Sequence, residues 1–403
     1  MSTEKNVPTM SIDRAVNYII GNCHLQLTQP EMGIPYVKGP PGIGKTKFIQ
    51  SEAKKRGFDE VLSFHLSLIP LEDLSGIPEI VPITNKYILE NSDNKNINGT
   101  RWTLPDIMTQ IYDASEKNEK VIVFLDDFHI ASPGHVALCF ELFSDRKFRG
   151  FGVPENVAFI VAGNDSSKSG DKKMFGAVIN RFAIFNVYPD FDYWVSRFAI
   201  PNGINKKIVT FLKAQINRRF FLEEEDTMAP WASPRSWTRL SYKLNELEKH
   251  DNNISMEVIQ YLSYAHVGAV ASSEFTTYYS IYSKTEMDKV FDRQKKIVIP
   301  EDNQDCYIYG MAAANEYTNR IIRHKEKKEK MTDTINILYQ IIVEISKYNI
   351  EIGVALLSTL TDYNKTIGTN LELRKVLNEL NNKHKDISNR ISKSLTDIVT
   401  NMS

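Results

Sequence analysis

The apolar residues in the first half of the chain follow two alternating patterns. Short, mostly apolar runs predict buried strands at 35–38, 61–66, 121–125, 157–161 and 183–187. Between them, apolar residues three and four positions apart predict helices near 12–20, 45–56, 103–115 and 133–143. The first helix is predicted to end at Gly21 and the second at Gly57. This alternation favours an α/β fold of three layers, in which helices cover both faces of a parallel sheet.

The pattern changes after residue 190, where helical periods replace strands almost completely. Helices are predicted at 192–198, 206–220, 234–249, 255–271, 286–296, 305–323 and 332–347. A chain of 403 residues is also too long for one ordinary hydrophobic core. We therefore expect an α/β core at 1–189, a helical domain at 190–283 and a further helical region without a recognisable motif at 284–403.

The composition is that of a soluble globular protein. Apolar residues make up 42% and charged residues 25%, and a net charge of −1 gives no electrostatic reason for tight nonspecific binding to DNA or membranes. Cys23, Cys139 and Cys306 are far apart, which indicates reduced core thiols. No apolar run reaches the ~20 residues of a membrane span, and the polar start at 1–5 does not resemble a signal peptide. We expect a cytoplasmic protein without membrane association, and nucleic acid is disfavoured as its partner.

One glycine-rich segment follows the first core strand and precedes a predicted helix. It fits G-x-x-x-x-G-K-[ST] without a mismatch and consists of Gly39, Pro40, Pro41, Gly42, Ile43, Gly44, Lys45 and Thr46. Backbone N–H groups of such a loop point into a concavity that suits a triphosphate. Lys45 can reach the β- and γ-phosphates, and the Thr46 hydroxyl can ligate Mg²⁺. A chance glycine-rich turn is the alternative, and the strand–loop–helix context argues against it.

Polar residues follow two of the predicted strands at their carboxyl ends. Asp126 comes directly after the apolar run 121–125, where it can hold Mg²⁺ through water opposite Thr46. Asn164 follows the strand at 157–161 and can orient an attacking water, although a turn-forming asparagine is an alternative. His65 is a lone histidine in a strand, and such residues are more often packed or capping than ligands.

The separated motifs resemble the AAA+ ATPases, and within them the MoxR-like group, over roughly residues 10–280. Segment 39–46 is similar to the family's Walker A, 71–78 to its D-L-x-G segment and 125–131 to its Walker B. Asn164 falls at its sensor 1. Segment 180–182 resembles its D-R-F, and 232–237 closely resembles its A-T-P-R-x-W sensor 2.

The resemblance implies an ATPase that uses ATP and Mg²⁺ and assembles as a ring of six identical subunits. Asp127 would be the general base, Asn164 would orient the water, and Lys45 and Arg235 would approach the phosphates. Arg181 would act as an arginine finger on the neighbouring subunit's nucleotide. Each arginine also has a simpler interpretation: Arg181 as an ion-pair residue, and Arg235 as a residue that merely follows a helix start.

Two residues depart from the family pattern. Asp127 stands where the family usually has glutamate, and its side chain is one methylene shorter. Since a displacement of about 1 Å in a base can cost ~10²-fold in rate, Asp127 would be a slow base, act through a second water, or belong to a protein that binds ATP more than it hydrolyses it. Asn180 replaces the aspartate beside the finger.

Two irregular stretches fall where this group has inserted hairpins. They are 79–101, with an asparagine-rich tip at 91–99, and 146–154. In ring ATPases of this type such hairpins face the pore or one side of the ring, so Phe148, Arg149 and Phe151 are candidates for contact with a partner. An ordinary hairpin with one buried aromatic face is the alternative.

The expected function is an ATP-driven ring motor that remodels or chaperones a protein client. The resemblance implies a partner with a von Willebrand A domain. A nucleic-acid motor, such as a helicase loader or a restriction-type translocase, is one alternative. The other is a slow or non-hydrolysing assembly switch, which the aspartate at position 127 favours.

Overall fold

The computed structural model describes residues 8–91, 97–164, 179–215, 218–223, 228–250, 254–327, 331–367 and 370–392. The chain divides into two units, Met1–Asp190 and Phe191–Ser403. The described strands all lie in the first unit, and the second is helical. The three-region division at 1–189, 190–283 and 284–403 stays a prediction.

The main sheet of the first unit is parallel throughout its described strands. From one edge to the other the strands are β1 (Met10–Ser11), β10 (Phe182–Tyr188), β2 (Ile34–Lys38), β9 (Val157–Gly163), β6 (Val121–Asp126) and β3 (Glu60–His65). All five runs predicted as strands are present. Since neighbouring strands run the same way, their carboxyl ends meet at one edge, which is where ligands bind in open α/β sheets.

The central strands are buried on both faces, as their continuous apolar sequences predict. Every residue of β6 and β9 is buried. Val123 and Phe159 belong to a core formed with α5 (Asp106–Lys117) and α6 (Pro133–Asp145). Two further helices, α1 (Ile12–Gln26) and α2 (Lys45–Lys55), also pack on the sheet. The predicted α/β fold with a parallel sheet and flanking helices, followed by a helical region, is confirmed.

Two glycines behave differently at the ends of the first helices. The prediction that α1 ends at Gly21 was wrong, because both the helix and its buried face extend to Gln26. A Cβ at Gly21 would meet nothing within 4 Å. By contrast Gly57, with φ of 84°, follows the end of α2 and donates its N–H to the carbonyl of Lys54. That helix end is confirmed.

Two small hairpins extend from the first unit. In the first, β4 (Pro78–Pro82) pairs with β5 (Asn98–Trp102), and α4 (Lys86–Glu90) lies between them. In the second, β7 (Lys147–Phe148) pairs with β8 (Phe151–Gly152). The short helix α3 (Leu71–Ser75) precedes the first hairpin. Residues 92–96 of the predicted asparagine-rich tip lie outside the described residues.

The second unit consists of helices with two hydrophobic clusters, one formed mainly by residues 191–279 and one by residues 287–391. Its helices are α7 (Phe191–Trp194), continued by a π-helical segment Val195–Ala199, α8 (Lys206–Ala214), α9 (Pro234–His250), α10 (Met256–Val267), α11 (Ala269–Lys284), α12 (Met287–Phe291), α13 (Asn303–Lys327), α14 (Thr332–Tyr348), α15 (Ile350–Ile367) and α16 (Asn370–Lys383). No helix in the described ranges has the length and apolar content needed to cross a membrane.

Three helix boundaries of the second unit differ from the prediction. The helix predicted at 255–271 is two helices, because Gly268 between them has φ of 81° and interrupts the helical conformation. The helix predicted at 206–220 ends at Ala214, and the one predicted at 286–296 ends at Phe291. Gln215 is extended, whereas Gly268 and Arg293 have positive φ, and neither conformation continues the helical hydrogen-bond ladder.

Candidate functional site

The glycine-rich loop, called the P-loop below, connects the end of β2 to the start of α2. Gly42 and Gly44 have φ of 79° and 87°, a conformation that favours glycine. Gly44 occupies the N-cap of α2, and no side chain caps the first turn of that helix. The first N–H groups of a helix lack partners within the helix, and together with its dipole they attract anions. The loop therefore fits a phosphate group.

Lys45 connects the P-loop to the end of β9. Its ammonium donates to the carbonyl oxygens of Gly39 (2.8 Å) and Pro40 (3.0 Å) and to Oδ1 of Asn164 (2.9 Å). The side chain is buried despite its charge. Buried charges are stable when they are paired or hydrogen-bonded, so these oxygen acceptors hold Lys45 over the loop. The structure therefore brings two predicted site residues, Lys45 and Asn164, into direct contact.

Thr46 and Asp126 form the candidate magnesium site. The Thr46 hydroxyl donates to Oδ2 of Asp126 at 2.6 Å, and the Asp127 N–H donates to Oδ1 of Asp126 at 2.9 Å. Mg²⁺ prefers oxygen ligands and retains several waters, so one hydroxyl and one carboxylate at this spacing fit the ion together with substrate phosphates. Over the described residues, no group of three or more His, Cys, Asp or Glu side chains could hold a metal alone.

Asp127 has an unusual backbone conformation and an unpredicted neighbour. Its φ of 57° and ψ of 29° are left-handed, a region that aspartate tolerates better than most residues. Its Oδ2 lies 3.2 Å from Nδ1 of His65, and both side chains are partly exposed. His65 is exposed, and its side chain does not cap the 3₁₀ turn Leu66–Leu68 that follows, so the interpretation of it as a packed or capping residue was wrong. The signal that could have found it is the pairing of β3 with β6, which places His65 opposite Asp126.

Arg181 lies near the amino ends of the sheet strands, whereas the P-loop lies at their carboxyl ends. Its carbonyl accepts the N–H of Ile34, the first residue of β2, whereas the P-loop follows Lys38 at the end of that strand. The guanidinium lies over the ring of Phe140 at 4.4 Å, and its Nε donates to the Ser144 hydroxyl at 2.5 Å. The structure therefore does not bring Arg181 to the P-loop of its own chain.

Arg235 belongs to the second unit and is exposed at the start of α9. The predicted helix start at Pro234 is confirmed, and the Ser233 hydroxyl accepts the N–H of Ser236 at 3.2 Å. Trp237 of the same motif is fully buried, and its indole N–H donates to the carbonyl of Phe220. The motif therefore has a structural role in the helical unit, and a role of Arg235 at the nucleotide stays a prediction.

The second hairpin has a buried base and a polar tip. Phe148 is 1% exposed and belongs to the core, so the suggestion that it contacts a partner was wrong. Phe151 packs against the same core and is partly buried. Arg149 at the tip has φ of 49°, and its guanidinium lies over the ring of Trp102 at 4.2 Å. The two hairpins are therefore in contact through this pair.

No protein-family model and no curated protein matches the chain. Among solved structures, a point mutant of RuvB from Thermotoga maritima is 12% identical, with a TM-score of 0.36, over 74% of this chain and 84% of that one. The T. maritima RuvB Holliday junction branch migration motor is 13% identical, with a TM-score of 0.34, over 73% and 82%. Cdc6p from Pyrobaculum aerophilum is 12% identical, with a TM-score of 0.36, over 78% and 83%. Likeness at this level carries no argument about what the chain binds.

The fold and the site by themselves define the class of protein. A parallel sheet, a strand–P-loop–helix unit and acidic and amide side chains at the carboxyl ends of the strands form a P-loop α/β core that fits a nucleoside triphosphate. A helical region follows this core in the chain.

Proposed function

We propose that the chain is an ATP-hydrolysing ring motor of the MoxR-like AAA+ type, which remodels or chaperones a protein client. One observation carries this proposal. Lys45, Thr46 and Asp126 meet at the carboxyl ends of the sheet strands, whereas Arg181 lies at the amino ends of the same strands. A second copy of the chain would complete such a site by supplying the arginine.

The residues at the P-loop have the chemistry that phosphoryl transfer requires. This reaction depends on positioning and charge stabilisation rather than on a covalent intermediate. Lys45 would bind the β- and γ-phosphates, and Thr46 and Asp126 would hold Mg²⁺, which supplies charge neutralisation when bound. Asp127 would accept the proton of the attacking water, and Asn164 would orient both that water and the Lys45 ammonium.

The position of Arg181 supports action on a neighbouring subunit. Between Ile34 and Lys38 the strand advances roughly 13 Å, and contacts with Phe140 and Ser144 hold the guanidinium against α6. An arginine supplied in trans can raise phosphoryl-transfer rates by ~10³–10⁵-fold. We therefore propose a homo-oligomeric ring, of six subunits as the resemblance implies, in which hydrolysis requires assembly.

A slow ATP-dependent assembly switch is a second candidate, and the geometry of Asp127 favours it. The carboxylate is short, its backbone is left-handed, and one oxygen already contacts His65. A base held in this way has less freedom to approach a water at the γ-phosphate. In this alternative, ATP binding would drive assembly, and the rate of hydrolysis would determine when the assembly dissociates.

The proposed client is a protein, because the net charge of −1 provides no general attraction for nucleic acid. A von Willebrand A domain protein is the partner that the resemblance implies. A nucleic-acid-directed motor would instead show ATPase activity that DNA stimulates and that falls steeply with salt.

The central test mixes two variants that are each inactive. Arg181→Ala keeps its own P-loop residues, and Asp127→Asn keeps its own arginine, so a mixed ring contains some intact composite sites. We expect each variant alone to release phosphate about 10²-fold or more slowly than wild type, and the mixture to recover part of that rate. Arg14→Ala removes an exposed arginine of α1 and should hydrolyse ATP normally. Mixtures without any recovery would contradict the assignment of Arg181.

A further inference from the structure

A cleft of about 690 Å³ lies between α3, α6 and the two hairpins. Leu71, Ile77, Pro78, Trp102, Leu138 and Arg149 are among the residues that line it. None of its described lining residues belongs to the P-loop or to the Asp126–Asp127 pair. Its volume and its mostly apolar lining, with a few polar groups, are typical of ligand-binding clefts.

Arg149 is the one cation among the described lining residues, which also include the carboxylates of Glu72 and Glu141. Its guanidinium stacks on Trp102, and its Nε is buried without a hydrogen-bond partner in the described structure. The nearby Glu141 carboxylate accepts the backbone N–H groups of Arg149 and Gly150 rather than the guanidinium. Stacking on an aromatic face leaves the in-plane N–H donors of arginine available, and a carboxylate matches their geometry. Because Nε itself is buried, an acid that enters the cleft would meet the terminal N–H groups of the Arg149 guanidinium.

The wall of the cleft continues along one face of the first hairpin. Pro78 is opposite Trp102 and Ile80 is opposite Thr100, so these four residues share a face of the two-stranded sheet. Ile80 is 78% exposed. Arg101 alternates to the other face. The apolar surface therefore leads outward from Trp102 to Ile80, which suits an extended segment better than a small compact ligand.

The edge of β4 offers few hydrogen-bond donors to an added strand. The backbones of Ile77 and Ile83 form hydrogen bonds with those of Thr103 and Ile97 across the hairpin. The backbone N–H and C=O positions of the alternate residues 78, 80 and 82 therefore point away from β5. Two of these three are proline, which has no N–H to donate. An occupant of the cleft is therefore recognised by its side chains and not by β-strand addition at this edge.

We propose that this cleft binds an extended, apolar segment of a client protein that carries one acidic side chain, whose carboxylate pairs with Arg149 beside Trp102. The inference rests on the proposed action on a protein client and specifies the segment that is recognised. Arg149 binds the acid, and the apolar face from Trp102 to Ile80 binds the flanking residues.

Two fluorescein-labelled peptide pools test this inference. Both contain ten-residue peptides of alternating apolar and polar residues, and they differ only in a central aspartate or asparagine. We expect the full-length protein to bind the aspartate pool at least about 10-fold more tightly in fluorescence anisotropy. Arg149→Gln should remove that difference. Arg101→Gln, the matched loss of an arginine on the opposite face of the hairpin, should preserve it.

Two further measurements separate this inference from the proposed motor. The basal ATPase rate of Arg149→Gln should equal that of wild type, so loss of peptide discrimination with normal hydrolysis concerns the cleft alone. Trp102→Phe should retain peptide binding and lose the change in tryptophan emission on binding. Equal affinity for the two pools, no binding of either, or unchanged discrimination by Arg149→Gln would overturn the inference. Arg149-dependent binding of a single-stranded oligonucleotide in place of the peptides would also overturn it.

Discussion

The Lys45 ammonium lies 2.9 Å from the amide oxygen of Asn164, although 119 residues separate the two in sequence. The contact joins the P-loop to the carboxyl end of β9, so residues that contact phosphate and water are held in one hydrogen-bonded unit. A displacement of either side chain would therefore change the position of the other.

Replacement of Lys45 by alanine should strongly weaken nucleotide binding. The ammonium is the buried cation of the P-loop, and loss of its charge-assisted hydrogen bonds should weaken ATP binding by roughly 10²-fold or more. Equilibrium binding of a fluorescent ATP analogue measures this. Lys47→Ala, which removes an exposed lysine from the same helix, should bind normally. Tight ATP binding by Lys45→Ala would contradict the P-loop assignment.

The change Asp127→Glu should keep or raise the rate of ATP hydrolysis. The added methylene extends the carboxylate towards the attacking water, and ATP affinity should not change because the proposed role of Asp127 is at the water and not at the phosphates. Steady-state phosphate release gives kcat, and analogue binding gives affinity. A large drop in kcat would mean that the left-handed backbone at position 127 requires the shorter side chain.

Removal of His65 distinguishes the ring motor from the slow switch. If His65 positions Asp127 for catalysis, His65→Ala should lower kcat about 10-fold without a change in KM, and His65→Asn should retain part of the rate. If His65 restrains Asp127, kcat should rise instead, which would support the switch. His250→Ala removes an exposed histidine of the second unit and serves as the control.

Two glycine substitutions should shift the free energy of unfolding in opposite directions. Gly21 is helical with open space around it, so Gly21→Ala should stabilise the protein by about 0.5–1 kcal/mol. Gly268 has φ of 81°, and a Cβ there would lie 2.2 Å from the carbonyl oxygen of Pro230. Gly268→Ala should therefore destabilise by about 1–3 kcal/mol. Urea unfolding monitored by circular dichroism measures both, and equal effects would contradict the helix assignments.

Lys206 should make stability rise with pH in the alkaline range. Burial lowers the pKa of Lys206 to about 8, against about 10.4 in an unfolded chain. Between these values the unfolded chain binds a proton that the folded protein has released, so the free energy of unfolding increases with pH. Below pH 8 the folded protein contains a buried charge.

The matched test is Lys206→Met. It should stabilise the protein at pH 7 by about 1–3 kcal/mol, reduced by loss of the hydrogen bond to Asn319, and the advantage over wild type should shrink towards pH 10. Urea unfolding at pH 7 and 9.5 measures it, with the exposed Lys243→Met as control. A constant difference at the two pH values would show that Lys206 titrates normally.

Local sequence was sufficient to predict the core strands and the P-loop, because burial on both faces requires continuous apolar runs and the loop needs glycines at fixed positions. Helix ends were harder to predict. Gly21 and Gly268 both have apolar neighbours in the sequence. Only the folded backbone shows that Gly21 is helical and that Gly268 is left-handed.

Residues that depend on strand pairing could not be found from local sequence. His65 is a candidate only because β3 pairs with β6 in a register that aligns their carboxyl ends. The position of Arg181 at the amino edge of the sheet likewise depends on the pairing of β10 with β2. Such pairings join segments that are distant in sequence, so their signal is tertiary.

Pro78 and Pro82 also affect how the protein behaves at high concentration. The hairpin exposes Ile80 and Tyr87 to solvent, and a flat apolar strand with free N–H groups is a template for edge-to-edge aggregation. The two prolines remove two of the three outward positions that could donate. The hairpin can therefore present an apolar surface while self-association along β4 is disfavoured.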